Sequence, residues 1–342
     1  MALMARSRWQ TRSRNPIVVE DRRAGWVFVA PAMLIFGIFV FGAMLFAFYV
    51  SFHDYALIDR GGVGQLFTDP GNTWVGLDNY RHILGNDEFW NAFRNTAWYA
   101  AGVVPAQTVT GLTLAVLANQ AIRGRTFFRT AFYFPAISSS VVISIIFLWM
   151  YSARGPINYV ITQLGFSTPR PVWLANPTGV IEAGLNNIGI ENVPTWLEGP
   201  SVAMLSIMLL NIWTTTGTMM VVYLAGLQNI PGEVYEAAAL DGASRFRAFR
   251  DVTVPLLRPI TAFVVTIGLI GTFQVFDQIW IMSEGNNGGP FGTTRTLAFL
   301  IYLEGFRQGR GFGYASALAI VLFLIILCLY FIQRRIAGEE GR

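Results

Sequence analysis

The 342-residue chain contains no lysine: all 24 of its basic residues are arginine. A P-loop sets a lysine on the β- and γ-phosphates, so the chain is not a conventional ATPase by itself. Schiff-base chemistry is excluded on the same ground. The single cysteine, Cys328, sits inside an apolar run, which rules out a disulfide framework and a cysteine metal cluster. Two histidines, His53 and His82, are too few and too far apart to suggest a metal site. Charge is scarce as well. Only 13% of residues are charged, 54% are hydrophobic, and mean hydropathy is +0.47. A soluble domain of this length has no use for so much apolar surface, so the class is membrane.

Apolar runs long enough to cross about 30 Å of hydrocarbon recur at 25–52, 94–119, 127–151, 201–227, 259–283 and 312–333. The first, 28 residues long, exceeds the apolar core of a signal peptide and reads as a retained helix behind an arginine-rich tail. Pro105 and Gln107 interrupt the second, which neighbouring helices can accommodate. Six spans bring both termini to one side. The tail to residue 24, the loops 120–130 and 228–258 and the C-terminal end hold 16 arginines, and the alternate segments hold eight. Acids run the other way: Asp54, Asp59, Asp69, Asp78, Asp87 and Glu88 crowd the first alternate loop. The positive-inside rule therefore predicts cytoplasmic termini. The long outer segments 53–93 and 152–200 carry Trp74, Trp173 and Trp196, which suit either interface anchors or a docking surface for an external partner.

Residues 233–255, EVYEAAALDGASRFRAFRDVTVP, form the most polar interior stretch and fall in a cytoplasmic loop on this topology. Pro231 and Gly232 end the preceding helix, and Glu233 and Glu236 suit the start of a new one. Ala237 to Leu240 are strong helix formers, and Gly242 stands where a glycine terminates a helix. Ser244 can cap a second short helix with Phe246, Phe249 and Val252 on one face and Arg245, Arg247 and Arg250 on the other. Pro255 and Pro259 punctuate the return to the membrane. Read physically, this is a helix–turn–helix hairpin under the bilayer, and an ordinary amphipathic interfacial loop would look the same.

The hairpin resembles something known. Glu236-Ala237-Ala238, three residues, Gly242, nine residues, Val252, one residue and Val254-Pro255 are similar to the EAA-x3-G-x9-I-x-L-P signature of binding-protein-dependent ABC importer permeases. Valine replaces both the isoleucine and the leucine. The segments NYRHILGNDEFWNAFRNT, GRTFFRTAFYFPAISSSVV and GYASALAIVLFL extend the resemblance to the maltose- and glycerol-phosphate-type sugar importers, over residues 76 to 335. The segment 165–200 has no counterpart in it. The resemblance implies an all-α type I ABC importer permease fold with six transmembrane helices. It implies that Glu236, Ala237, Ala238, Asp241, Gly242 and Pro255 contact a separate ATPase subunit. The missing P-loop lysine agrees with that division of labour.

A candidate solute path lies in the spans. Asn211, Thr214, Thr215 and Thr218 recur at helical spacing as one polar stripe. At 1.5 Å per residue Asn211 lies roughly 15 Å below the outer surface. Gly271, Gln274, Asp277 and Gln278 mark one face of the fifth span, and Trp213, Phe276 and Tyr314 could supply flat stacking surfaces. Such amides, carboxylates and aromatics suit a hydroxyl-rich solute, whereas hydrogen bonds between helices would use the same residue types.

The expected organisation is a cytoplasmic tail (1–24), a first helix with its outer loop (25–93), a transporter core (94–335) containing the hairpin 231–255, and a cytoplasmic tail (336–342). The expected function is import of a sugar-like solute across the cell membrane without catalytic residues or a metal site. The expected partners are an ATPase dimer that binds ATP and Mg, a second related permease, an extracytoplasmic solute-binding protein and membrane lipid; no nucleic acid is expected. The rival reading is an ion-gradient-driven transporter, which calls for titratable groups near the midplane; Asp277 is the one acid within these spans. A second rival, an intramembrane hydrolase, needs a nucleophile and a base; the sequence has no G-x-S-x-G motif, no mid-span histidine and no lysine, and a hydrolysis assay separates this reading from the others.

Overall fold

The computed structural model describes residues 16–55, 73–120, 123–166, 171–190, 192–283, 288–307 and 311–337. Residues 1–15 and 338–342 of the terminal tails, Asp59, Asp69 and part of the segment 165–200 fall outside them. Among the described residues the first element is α1 (Pro16–Phe36), which continues through a π-helical stretch, Gly37–Gly42, into α2 (Ala43–Val50). Two short strands, β1 (His53–Asp54) and β2 (Thr73–Trp74), pair antiparallel and lead into α3 (Asp78–Leu84). Then comes α4 (Asp87–Asn119), whose 33 residues run well beyond the predicted start at 94. The extension is polar and capped: the Asn86 side chain accepts a hydrogen bond from the Glu88 N–H, and Asp87 and Glu88 complement the helix dipole.

The predicted third span is two helices. α5 (Arg125–Ile137) and α6 (Ser140–Met150) meet at 96°. Pro135 deletes one backbone donor near the end of α5, and the Ser138 hydroxyl donates to the Phe134 carbonyl, so the ladder is dismantled locally. The segment 152–200 contributes α7 (Pro156–Gln163) and α8 (Val180–Asn186) before α9 (Val202–Gln228), the fourth span. Trp173 is held inside this segment, donating from Nε1 to Asn158 Oδ1 at 3.0 Å, whereas Trp74 and Trp196 are exposed.

After α9 come α10 (Gly232–Leu240), α11 (Arg245–Ala248), a π-helical stretch at Phe249–Thr253, α12 (Val254–Leu256) and α13 (Arg258–Phe273). The fifth span is also broken. It stops at Phe273 and resumes as α14 (Asp277–Met282), so 259–283 is not one helix. Thr296 donates its hydroxyl to the Val275 carbonyl at 3.1 Å, which supplies a partner the break would otherwise remove. A helix absent from the sequence expectation follows, α15 (Leu297–Phe306), and then α16 (Phe312–Ala337). Ten residues are too few to span a bilayer, and α15 instead buries Leu297, Phe299, Leu300 and Leu303 against α4, α14 and α16. Among the described residues, four helices are long and apolar enough to cross a membrane, and up to six spans result if each of two bent pairs counts as one: Arg125–Ile137 with Ser140–Met150, and Arg245–Leu256 with Arg258–Phe273, which meet at 64°.

α4 and α9 lie against each other along most of their length and carry the core. Near one end Tyr99, Met204, Ile207 and Leu210 meet Ile279 and Phe299; near the hairpin, Ala115, Met220 and Tyr223 meet Leu257 and Val264. Small residues allow the closest approaches, as is usual between membrane helices. Gly217 of α9 faces the Phe132–Tyr133 backbone, and Gly268 of α13 faces the Gln107 side chain.

Candidate functional site

The hairpin has the geometry its composition predicts. Gly242 adopts φ +75°, a left-handed conformation that costs glycine least. The Gly242 N–H donates to Ala239 O and the Ala243 N–H to Ala238 O, the paired bonds of a Schellman termination. Ser244 then caps α11, its hydroxyl accepting from the Arg247 N–H. The arms are tied where the Tyr235 and Thr253 hydroxyls lie 3.0 Å apart. Arg250 and Asp251 pair at 2.7 Å, and that hydrogen bond holds the Asp251 carboxyl below its ordinary pKa.

One face of α10 turns away from the rest of the chain. Glu236, Ala237, Asp241 and Gly242 are exposed, while Ala238 and Pro255 are half-buried. Leu240 projects fully, at 89% exposure, between these small and acidic residues. The second arm departs from expectation: Phe246 is 71% exposed whereas Phe249 and Val252 are half-buried. Widening of the helix from residue 249 changes the angular step, so three-residue spacing no longer keeps one face. The outward surface is thus one of small side chains around a tight turn, with one apolar knob.

The predicted polar stripe is in place but mostly occupied by its own chain. Asn211 is buried; its Nδ2 donates to Gln278 Oε1 at 2.7 Å, and the Tyr99 hydroxyl reaches the same oxygen at 3.3 Å. Thr214 donates to the Asn211 carbonyl, and the Thr215 hydroxyl lies within 2.8 Å of both that carbonyl and Gln107 Oε1. Thr218 is exposed. The result is a polar thread from α4 through α9 to α14. Gln107 and Tyr99, which join it, were not selected from sequence; an amide two residues after Pro105 in an apolar run was the available signal.

Gln274 and Asp277 point outward with Gly271, while Gln278 points inward, so the four do not share a face. The break at residues 274–276 separates them. Phe276 belongs to an aromatic cluster with Trp280, Phe299 and Tyr302, with ring centroids 5.1–6.3 Å apart. Trp213 lies on a different face of α9 from Asn211. It borders an open, mainly apolar groove of about 570 Å³ with Thr110, Phe132 and Pro135. Tyr314 does not join the path: it is buried in the core against α4 and α15, and its hydroxyl accepts from Asn86 Nδ2 at 3.2 Å. At the end of the fold away from the hairpin, buried Arg295 pairs with Glu88 at 3.0 Å and Asn95 donates to the Gly292 and Arg295 carbonyls. Glu304 of α15 is a buried acid that the span assignment overlooked.

The description "binding-protein-dependent transport system inner membrane component" matches residues 107–338, a stretch that holds the whole hairpin and the last four spans. The chain belongs to this family. It is thus a multi-pass inner-membrane permease of the ABC transporter class, and the ion-gradient reading falls away. Among curated relatives it is similar to the lactose transport system permease protein LacF of Rhizobium radiobacter, 32% identical over 96% of this chain and 99% of LacF. The arabinooligosaccharides transport system permease protein AraP of Bacillus subtilis is 29% identical over 96% of this chain and 97% of AraP. A chain in the crystal structure of a bacterial alginate ABC transporter, in complex with an alginate pentasaccharide-bound periplasmic protein, shares the fold. Its TM-score is 0.73 at 19% identity, covering 96% of this chain and 99% of that one. The broken third and fifth helices belong to a permease fold that matches over nearly the full chain.

Proposed function

We propose that this permease imports a sugar or sugar-like solute, with ATP and Mg bound by a separate ATPase dimer that receives the hairpin. The hairpin carries the reading: Glu236, Ala237, Asp241 and Gly242 form an exposed surface around a Schellman turn, with Ala238 half-buried behind it, and the chain has no lysine for a P-loop of its own. The arginine asymmetry supports a cytoplasmic hairpin and cytoplasmic termini. A second related permease completes the pathway, and an extracytoplasmic solute-binding protein delivers the solute to the opposite end. Support for a sugar comes from the relatives named for lactose and arabinooligosaccharides and from the hydroxyl-matching groups Gln274 and Asp277 on the outward face of the fifth span.

The direct test is uptake by proteoliposomes containing the assembled complex. Transport of an oligosaccharide should require internal or external ATP on the hairpin side and should persist when ion gradients are collapsed. Uptake that follows an imposed proton or sodium gradient without ATP would overturn the proposal.

A further inference from the structure

Between the hairpin and the spans lies a cleft of about 290 Å³, roughly ten times the volume share of one water. It is bounded by the last turn of α4, the end of α9 and both hairpin arms. Val116 and Leu227 give it an apolar wall, and Asn119, Gln120, Tyr235 and Arg245 give it a polar rim. No carboxylate lines it among the described residues, and Arg245 has no ion-pair or hydrogen-bond partner there. The nearest acid on the same arm, Asp251, is taken by Arg250. A second cation adjoins the cleft: Arg129 donates to the Ala118 carbonyl at 2.7 and 3.1 Å, one residue before Asn119. The cleft faces the spans, on the opposite side of the hairpin from exposed Glu236 and Leu240.

Its level in the fold limits what can fill it. α4 and α9 both end here, which on the six-span reading is the level at which the chain leaves the hydrocarbon. An unpaired guanidinium, side-chain amides and a hydroxyl beside an apolar wall match a phosphate, a glycerol moiety and the first acyl carbons. We propose that the cleft binds the headgroup of an anionic phospholipid, with Arg245 on its phosphate, and that this lipid seats the hairpin against the spans. The inference rests on the proposed cytoplasmic placement of the hairpin and on its proposed contact with an ATPase.

The test compares the full-length permease, alone and in its complex, in nanodiscs with and without phosphatidylglycerol. Bound lipid is read by native mass spectrometry and by titration of phosphatidylglycerol. Arg245→Gln should weaken phosphatidylglycerol binding roughly fivefold, the equivalent of about 1 kcal/mol for one arginine at an anionic surface. Arg245→Lys should retain most of it. Arg247→Gln, a control at an arginine that does not line the cleft, should bind as the unmodified chain does. Unchanged binding by Arg245→Gln, or equal weakening by Arg247→Gln, overturns the proposal. So does competition by inorganic phosphate alone at equal concentration, which would mean a free-anion site. If Arg245→Gln instead loses the ATPase on co-purification with lipid binding intact, the cleft seats a partner carboxylate. Failure of the unmodified chain to recruit an ATPase would sink the proposed function while leaving the lipid titration readable.

Discussion

The Asn211 amide donates to Gln278 Oε1 across 2.7 Å, joining the middle of α9 to a helix that begins beyond the break in the fifth span. That bond changes the reading of the polar stripe. A side chain already paired in a buried position contributes to the packing of spans, while Gln274 and Asp277, beside the same break, are exposed. The break and the thread act together: Gln278 can face α9 because α14 does not continue the rotation of α13.

Replacing the two amides should therefore have different consequences. Asn211→Leu leaves Gln278 with only the longer contact from Tyr99. Interhelical hydrogen bonds in membranes contribute about 0.6 kcal/mol on average and up to about 1.7, so the variant should show a small drop in thermal stability in detergent. Gln274→Leu should assemble and melt normally yet import more slowly. Normal import by Gln274→Leu would remove that face from the solute path.

Exposure and arginine distribution together give a test of orientation. In a Cys328→Ser background, a membrane-impermeant maleimide should label Ile188→Cys in intact cells, since that side chain is 71% exposed on the proposed outer segment. Leu240→Cys should react only after the cells are opened. Labelling of Leu240→Cys in sealed cells would invert the topology and, with it, the placement of the ATPase.

Much of this architecture was legible in the sequence because it rests on composition and short-range chemistry. The six apolar runs, the turn at Gly242 and the cap at Ser244 need only local rules. The breaks were not legible. Ser138–Ser140 lie in a run whose hydropathy stays high, and Gln274-Val275-Phe276 contains neither glycine nor proline. Each break is stabilised by partners from elsewhere in the chain or from the turn before it, as with Thr296 on the Val275 carbonyl. The same reason hid α15, whose apolar residues are satisfied by α4 and α16 instead of lipid. Tyr314 looked like a stacking surface until Asn86, 228 positions away, claimed its hydroxyl.

Gly242 separates two effects that a single substitution would confuse. Its φ of +75° disfavours a side chain, yet a Cβ there would meet nothing within 4 Å in this chain. Gly242→Asn tolerates the left-handed conformation better than Gly242→Ala, for which the strain is about 1 kcal/mol. If a partner groove approaches the turn, both variants, and Gly242→Asp, should lose most solute-stimulated ATP hydrolysis while inserting normally. Full stimulation in Gly242→Asn with loss only in Gly242→Ala would mean that turn geometry matters and close approach does not.

Gln107 and Gly268 supply the sharpest packing test. Gln107 is buried; its Oε1 receives Thr215, but its Nε2 has no hydrogen-bond partner and lies against Gly268 of α13. A methyl group at 268 would collide with that nitrogen, and neither the backbone of α13 nor the Thr215 bond can yield freely. Overpacking of this kind costs about 1–3 kcal/mol, so Gly268→Ala should lower the melting temperature and the yield of assembled complex. Adding Gln107→Ala removes both the obstruction and a buried unpaired donor, itself a cost of about 1–3 kcal/mol. It also leaves the Thr215 hydroxyl with the Asn211 carbonyl as its remaining acceptor. The double variant should therefore be more stable than Gly268→Ala alone, with a favourable coupling between the two positions in a double-mutant cycle. Strict additivity would mean that α4 and α13 do not meet at these two residues, and the crossing of the two helices beside the polar thread would have to be redrawn.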